Sequence, residues 1–295
     1  MNTLSCPCCR QPIRPLQTSD FTEYLCEACD HTYFTSERSI TAQDYEESNK
    51  YADYYSGDPP YLWYHKHALK VTKSIAQEAR VLDFGCYDGF FVKRMLDNGI
   101  DAYGCDWNRE ALAAGGKKFG IADRLMHDAE GSFDAITSLE VIEHFEDPNI
   151  FMGLVTGLLK DSGQLILSCP NKNSAYRPST DAPPHHFSRF SANSLATLIG
   201  RYGYDVRVHK VEYSFLQMLR NYAGDRMRSA STNIDGDVER KDVENGLLYI
   251  TLRQMANKII PTLNALSMPM NIGMWALGKP YIAQFLVAKK RSMSK

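Results

Sequence analysis

Residues Arg80–Phe91 read R-V-L-D-F-G-C-Y-D-G-F-F. The apolar pair Val81–Leu82 runs into an acid, Asp83. Gly85 and Gly89 follow, four positions apart, and an apolar pattern of helical period then begins at Phe90 and Phe91 and continues to Met95 and Leu96. That is the pattern of a buried strand, a tight turn and a helix. Glycines in such a turn let a ligand lie against the backbone where a Cβ would block it. The helix start adds unpaired N–H groups for the ligand's polar end. The stretch suits an adenosine-type cofactor.

Spacing narrows the choice. A dinucleotide fingerprint needs glycines at i, i+2 and i+5, but counting from Gly85 the later positions hold Tyr87 and Phe90. The Gly-Lys-Ser/Thr of a phosphate-binding loop is missing as well. Asp83, just ahead of the first glycine, suits a ligand with a cationic amine. The stretch resembles motif I of class I S-adenosylmethionine-dependent methyltransferases, hh-D-h-G-x-G-x-G, with Tyr87 in place of the middle glycine. The resemblance implies an α/β Rossmann-like sheet of seven strands, the last antiparallel, with S-adenosylmethionine held at Asp83, Gly85 and Gly89.

The chain beyond keeps the order of that fold. Ala102–Gly104 reads as a second strand ending at Cys105-Asp106-Trp107. An acid at that tip can hold two ribose hydroxyls with one carboxylate, so Asp106 is the expected ribose ligand. Trp107 either stacks on adenine or packs under the sheet edge. After a helix at Arg109–Lys118 and a short third strand comes His127-Asp128-Ala129. There the resemblance places Asp128 against the adenine amino group, while the residues alone allow a solvated loop acid. Phe133–Leu139 is the fourth strand. The run S-L-E-V-I-E-H-F-E-D-P that spans its end, Ser138–Pro148, is similar to the corresponding loop of ubiquinone-type O-methyltransferases. Loops at the carboxyl ends of central strands hold the ligands in such sheets. Glu140, Glu143 and His144 therefore fall at the cofactor–substrate junction, with Glu140 on the cofactor side. A helix through Leu154–Leu159, a turn at Gly163 and a fifth strand at Gln164–Ser168 follow. Asp205–Glu212 is the sixth strand, and Tyr281–Lys290 is expected antiparallel between the fifth and sixth.

Between the fifth and sixth strands lies a polar, proline-rich loop, Asn171–Ser188, containing Asp181-Ala-Pro-Pro-His-His-Phe187. The run P-P-H-H-F-S-R-F-S resembles a motif of methyltransferases in glycan and natural-product biosynthesis. Methyl transfer to a hydroxyl needs a base, and imidazole is suited to it. The candidates are His144, His185 and His186. His186 is favoured because Pro183 and Pro184 stiffen its loop and it lies nearest the helix at Ser191–Tyr202. The alternative is a histidine that caps that helix or bonds to the sheet edge.

Cys6-Pro-Cys-Cys9 and Cys26-Glu-Ala-Cys29 form two C-x2-C pairs sixteen residues apart, the spacing of a structural zinc site. So short a segment cannot bury much core and needs such a cross-link. Cys8 could replace Cys9 only in a tighter turn. This ribbon carries Arg10 and Arg14 against Asp20, Glu23, Glu27 and Asp30. Its net acidity makes it a poor phosphate ligand, and a structural or substrate-docking cap is expected.

The organisation read from the 295 residues is a zinc ribbon over 1–40, an aromatic-rich helical linker or flap over 41–79, and the cofactor-binding core over 80–213. A helical insertion over 214–280 and a final strand with a basic tail over 281–295 complete it. Leu69–Ala79 reads as the helix feeding the first strand. In the insertion, Ile259–Gly278 has no charged residue and is long enough to cross a bilayer, but Pro261, Pro269, Asn264, Asn271 and Gly273 argue instead for a lid, a homodimer face or peripheral membrane contact. A net charge of −2 gives no general attraction to nucleic acid or anionic lipid. With no charged-then-apolar leader, a cytoplasmic protein is expected. The function expected is methylation of a small-molecule or glycan acceptor, at a hydroxyl. The alternatives are an RNA methyltransferase using the ribbon as an arm and a non-catalytic scaffold in which Tyr87 obstructs the methionine site.

Overall fold

A computed structural model describes residues 4–18, 20–36, 61–75, 78–178, 181–216, 218–219, 222, 266–280 and 283–292. Tyr45, Tyr51, Tyr54 and Tyr55 of the expected flap, and Asp225–Asn245 of the insertion, lie outside the described residues.

The amino-terminal strands are β1 (Arg14–Thr18), β2 (Phe21–Cys26) and β3 (His31–Ser36), an antiparallel meander. Helix α1 spans Trp63–Thr72. It begins six residues before the expected Leu69 start and stops at Thr72, because Lys73, Ser74 and Ile75 close a turn onto the carbonyls of Leu69, Val71 and Thr72. The linker aromatics Tyr61, Trp63 and Tyr64 therefore belong to this helix and its entry. Trp63 meets Phe285 edge-on at 6.3 Å.

The core alternates strand and helix: β4 (Arg80–Phe84), α2 (Phe90–Leu96), β5 (Asp101–Cys105), α3 (Arg109–Phe119), β6 (Leu125–Met126), β7 (Phe133–Leu139), α4 (Pro148–Leu158) and β8 (Leu159–Pro170). Then come β9 (Ser188–Arg189), α5 (Ala192–Arg201), β10 (Tyr204–Val211), α6 (Met268–Ala276) and β11 (Ala283–Lys290). Seven strands form one sheet in the order β10-β11-β8-β7-β4-β5-β6. All run parallel except β11, which lies antiparallel between β8 and β10, where the seven-strand resemblance places it. Val81, Leu82, Ala135, Ile136, Leu165, Ile166 and Leu167 are fully buried, as a sheet covered on both faces requires.

Two local departures have simple causes. Strand β8 begins at Leu159, directly after α4, so Gly163 does not turn a helix. Lys160–Gly163 bulge out instead, shifting the pairing from Phe133↔Leu159 to Ala135↔Gln164 with Ser162 at φ 62°. The ribbon is also docked on the core and shares a sheet with it. Its meander gains β9 as a fourth strand through Thr32↔Arg189 and Tyr33↔Ser188. The Arg201 guanidinium donates to the carbonyls of Pro7 and Cys8 at 2.7 and 2.8 Å, and Ser191 Oγ donates to the Cys29 carbonyl at 3.2 Å. Among the described residues no helix is long and apolar enough to cross a membrane.

Candidate active site

Strand order reverses between β4 and β7, since the chain runs outward from β4 through β5 and β6 and then returns to β4's other side. Ligands bind in the crevice at the carboxyl ends of the strands flanking such a point. Here those ends are the Phe84–Gly89 turn and the Leu139–His144 turn.

Gly85 and Gly89 hold φ 80° and 76°, the left-handed region that favours glycine. The first is also required by packing: a Cβ on Gly85 would stand 2.5 Å from Val141 Cγ2. Tyr87, where the motif has glycine, takes φ 50°, so the loop keeps the course a glycine would give it. The Asp106 carboxylate clamps this loop. Its Oδ2 accepts from the Tyr87 N–H at 2.8 Å and its Oδ1 from the Asn108 N–H at 2.9 Å. Each oxygen keeps a further lone pair, the arrangement a ribose diol needs. Burial pushes the Asp106 carboxyl up while these N–H donors pull it down.

Asp83 lies beneath the loop, 4% exposed, and accepts from Thr137 Oγ1 at 2.7 Å. Burial raises its carboxyl to about 7 against that hydrogen bond. A cation at the loop would favour its ionised form. Trp107 is 49% exposed, so it is not packed under the sheet edge. Asp128 is solvent-exposed and pairs with His127 at 2.8 Å, which holds its carboxyl low.

The second turn carries the remaining candidates. Glu140 directly follows β7 at φ 60°, and its carboxylate accepts from Ser168 Oγ at 2.8 Å; burial raises its carboxyl. A single 3-10 turn, Ile142–His144, follows. His144 Nδ1 donates to the His185 carbonyl at 2.7 Å, and burial pushes its imidazole down to about 3, so it stays neutral at physiological pH. His186 Nδ1 donates to Asp181 Oδ1 at 2.8 Å. The rings of His144 and His186 meet edge-on, 4.8 Å apart. A carboxylate oxygen of Glu143 and one ring nitrogen from each of these histidines all lie within 4.8 Å of one another. The structure thus joins His144 with His186, whereas His185 contributes its carbonyl.

Sequence reasoning missed the residue that sets this arrangement. Asp181 has no exposed surface and pairs with Arg177 as well as His186. Arg189 brackets it, donating to its backbone carbonyl at 2.6 and 3.0 Å. An aspartate two positions before a Pro-Pro pair reads as a turn former, and only the fold brings both arginines to it. The ribbon meets the same loop: the Phe187 carbonyl accepts from the Phe34 N–H at 2.9 Å, and the Phe187 N–H donates to the Glu143 carbonyl at 2.8 Å.

In the ribbon, Cys6 and Cys29 Sγ stand 3.6 Å apart and Cys9 and Cys26 Sγ 3.4 Å apart, with all four mutually within 4.8 Å. Four converging thiols at these separations fit one tetrahedral metal ion. Cys8 is buried beside Cys6 and His31 in a second grouping.

Residues 60–209 match the family described as a methyltransferase domain. The chain belongs to the class I S-adenosylmethionine-dependent methyltransferases. Among curated proteins, this methyltransferase is 30% identical over 105 residues to the ubiquinone biosynthesis O-methyltransferase of Pseudomonas aeruginosa, covering 32% of this chain and 45% of the relative. The protein of the same name from Vibrio campbellii is 33% identical over the same shares of both chains. The chain thus matches under half the length of these relatives. Among solved structures, phosphoethanolamine N-methyltransferase 2 of Haemonchus contortus, bound to phosphomonomethylethanolamine and S-adenosylhomocysteine, aligns with a TM-score of 0.56 at 13% identity. That alignment covers 95% of this chain and 71% of the other, and at such identity it speaks for the fold alone.

Proposed function

We propose that this methyltransferase transfers a methyl group from S-adenosylmethionine to a hydroxyl of a small molecule or sugar. S-Adenosylmethionine supplies the methyl group as a sulfonium, open to in-line attack. The chain's own work is to align donor and acceptor, exclude water and deal with the acceptor's proton. The reading assigns ribose to Asp106, the cationic methionine end to Asp83 and the Gly85–Gly89 turn, and adenine to Trp107 and Asp128. Glu140 is assigned to the cofactor side of the cofactor–substrate junction.

The observation that carries the hydroxyl reading is the Asp181–His186 pair. With Nδ1–H committed to a buried carboxylate, His186 is held as the tautomer whose Nε2 offers a lone pair. That is the arrangement an alcohol requires and an amine acceptor, already nucleophilic, does not. The O-methyltransferase relatives support the same reading. In the ribbon, Cys6, Cys9, Cys26 and Cys29 are read as ligands of one structural zinc, which fixes the surface that β3 presents to the histidine loop.

Replacing His186 by Ala should lower turnover about 100-fold or more while leaving S-adenosylhomocysteine affinity nearly unchanged. Loss of cofactor binding with turnover per bound cofactor preserved would make the loop structural and overturn the assignment.

A further inference from the structure

The carboxylate that holds His186 is itself held from two sides, and only one of them belongs to its own loop. Arg177, four positions upstream, pairs with Asp181 Oδ2. Arg189 reaches it from β9, the strand that joins the ribbon's sheet through Thr32↔Arg189. Its Nη2 and Nε donate to the Asp181 carbonyl at 2.6 and 3.0 Å, and Nε stands 3.8 Å from Asp181 Oδ2. The remaining nitrogen turns to the ribbon, Nη1 donating to Glu23 Oε1 on β2 at 3.5 Å. The guanidinium also lies over the Phe34 ring on β3, 4.6 Å from its centroid. A planar fork engaged on two edges and one face is fixed far more narrowly than a lysine ammonium would be.

Charge follows the same line. Arg177, Asp181, Arg189 and Glu23 alternate in sign, and the Arg189 side chain is only 16% exposed. A guanidinium so far from water, facing a carboxylate that Arg177 already shares, needs a second anion. The ribbon supplies it.

We propose that Arg189 is a positioning residue through which the docked ribbon fixes Asp181 and so keeps His186 in the tautomer that carries an Nε2 lone pair. Which ring nitrogen bears the proton is decided by the bond the other makes. The Asp181 carboxylate makes that bond to Nδ1–H at 2.8 Å, and its placement depends on where the Asp181 backbone is pinned. Arg177 lies on the same loop and moves with it. Arg189 is anchored on a strand paired to β3, so it ties the loop to a separate element. The ribbon is then part of the site's machinery rather than a cap beside it. The consequence for turnover, though not the coupling itself, rests on the hydroxyl reading above.

The test is nitrogen-15 NMR of the full-length, zinc-loaded protein labelled at histidine, at a pH where the ring is neutral, with the His186 signals assigned by their loss in His186→Ala. Wild type should show a protonated Nδ1 and an unprotonated Nε2. Arg189→Gln should shift the tautomer ratio toward Nε2–H by about 10-fold or more, the worth of a hydrogen bond to a charged group. Arg189→Lys, which keeps the charge but not the fork, should not restore it. Glu23→Ala should act in the same direction, and combined with Arg189→Gln it should add nothing further. S-Adenosylhomocysteine affinity should be unchanged throughout. His31, whose ring stacks on Phe190 at 5.0 Å, reports in the same spectra that the ribbon remains docked. A His186 tautomer indifferent to Arg189, additive effects of the Glu23 and Arg189 substitutions, or His186 changes seen only where the His31 signals change as well would overturn the proposal. The expected tautomer shifts in a protein that methylates no hydroxyl would sink the acceptor reading and leave the role of Arg189 standing.

Discussion

Replacing Asp106 by Ala tests the cofactor site at the residue on which its geometry turns. The carboxylate receives two backbone N–H groups, from Tyr87 and Asn108 at 2.8 and 2.9 Å, and so fixes the loop while facing the ribose position. Alanine removes the clamp and both expected bonds to the ribose. Hydrogen bonds to a charged group contribute about 1.5–3 kcal/mol each. The ribose pair alone is then worth about 3 kcal/mol at its lower end, or a little over 100-fold in affinity. Asp128 is the comparison, because it is exposed, pairs with His127 and clamps no loop N–H among the described residues. Its alanine variant should lose clearly less affinity, the single bond expected to the adenine amino group. Calorimetry with S-adenosylhomocysteine measures both, and circular dichroism melting confirms that each is folded. Equal affinities for the two variants would refute the ribose assignment. A loss confined to stability would reduce Asp106 to a loop clamp.

Asp83 predicts a pH dependence of stability. Its carboxyl is near 7 in the fold against an ordinary value of 3.8, so the folded protein holds the proton more tightly than the unfolded chain. The penalty is absent below about pH 4, grows through neutrality and is complete above 7, up to roughly 4 kcal/mol. Urea unfolding should therefore show Asp83→Asn gaining stability relative to wild type between pH 5 and 8; a constant difference would contradict it. In the ribbon, Cys26→Ser should release the metal measured by elemental analysis. Because β3 pairs with β9 beside the histidine loop, it should lower turnover more than S-adenosylhomocysteine affinity. An unchanged turnover after metal loss would show the ribbon to be independent of catalysis.

The sheet was legible because its signals are local. Strand, turn and helix at Arg80–Phe91 each announce themselves by period or by glycine, and the order of the later strands follows from connection rules. Less visible was what depends on long-range contact. Gly115 in α3 looks like a poor helix residue, yet a Cβ there would fall 1.7 Å from the Asp88 carbonyl oxygen, so α3 can approach the cofactor loop only because that position is glycine. The pairing of β3 with β9 was invisible for the same reason. Two residues at Ser188–Arg189 carry no strand signature of their own and become a strand only because the ribbon offers an edge. At the site, the histidines were singled out by a motif. Which two of the three meet, and that Asp181 rather than a neighbour on the strand holds one of them, is fixed by a loop folding back on Arg177 and Arg189.

The central claim, methyl transfer from S-adenosylmethionine to a hydroxyl of a small molecule or sugar, is tested most directly with isotope-labelled S-adenosylmethionine. The full-length protein is incubated with the labelled cofactor and a metabolite extract, and the products are resolved by mass spectrometry and fragmentation. The account predicts one labelled methyl group on an oxygen of a low-molecular-weight or glycan product, abolished by Asp106→Ala and strongly reduced by His186→Ala. Label found on RNA, or on nitrogen with His186→Ala indistinguishable from wild type, would contradict it.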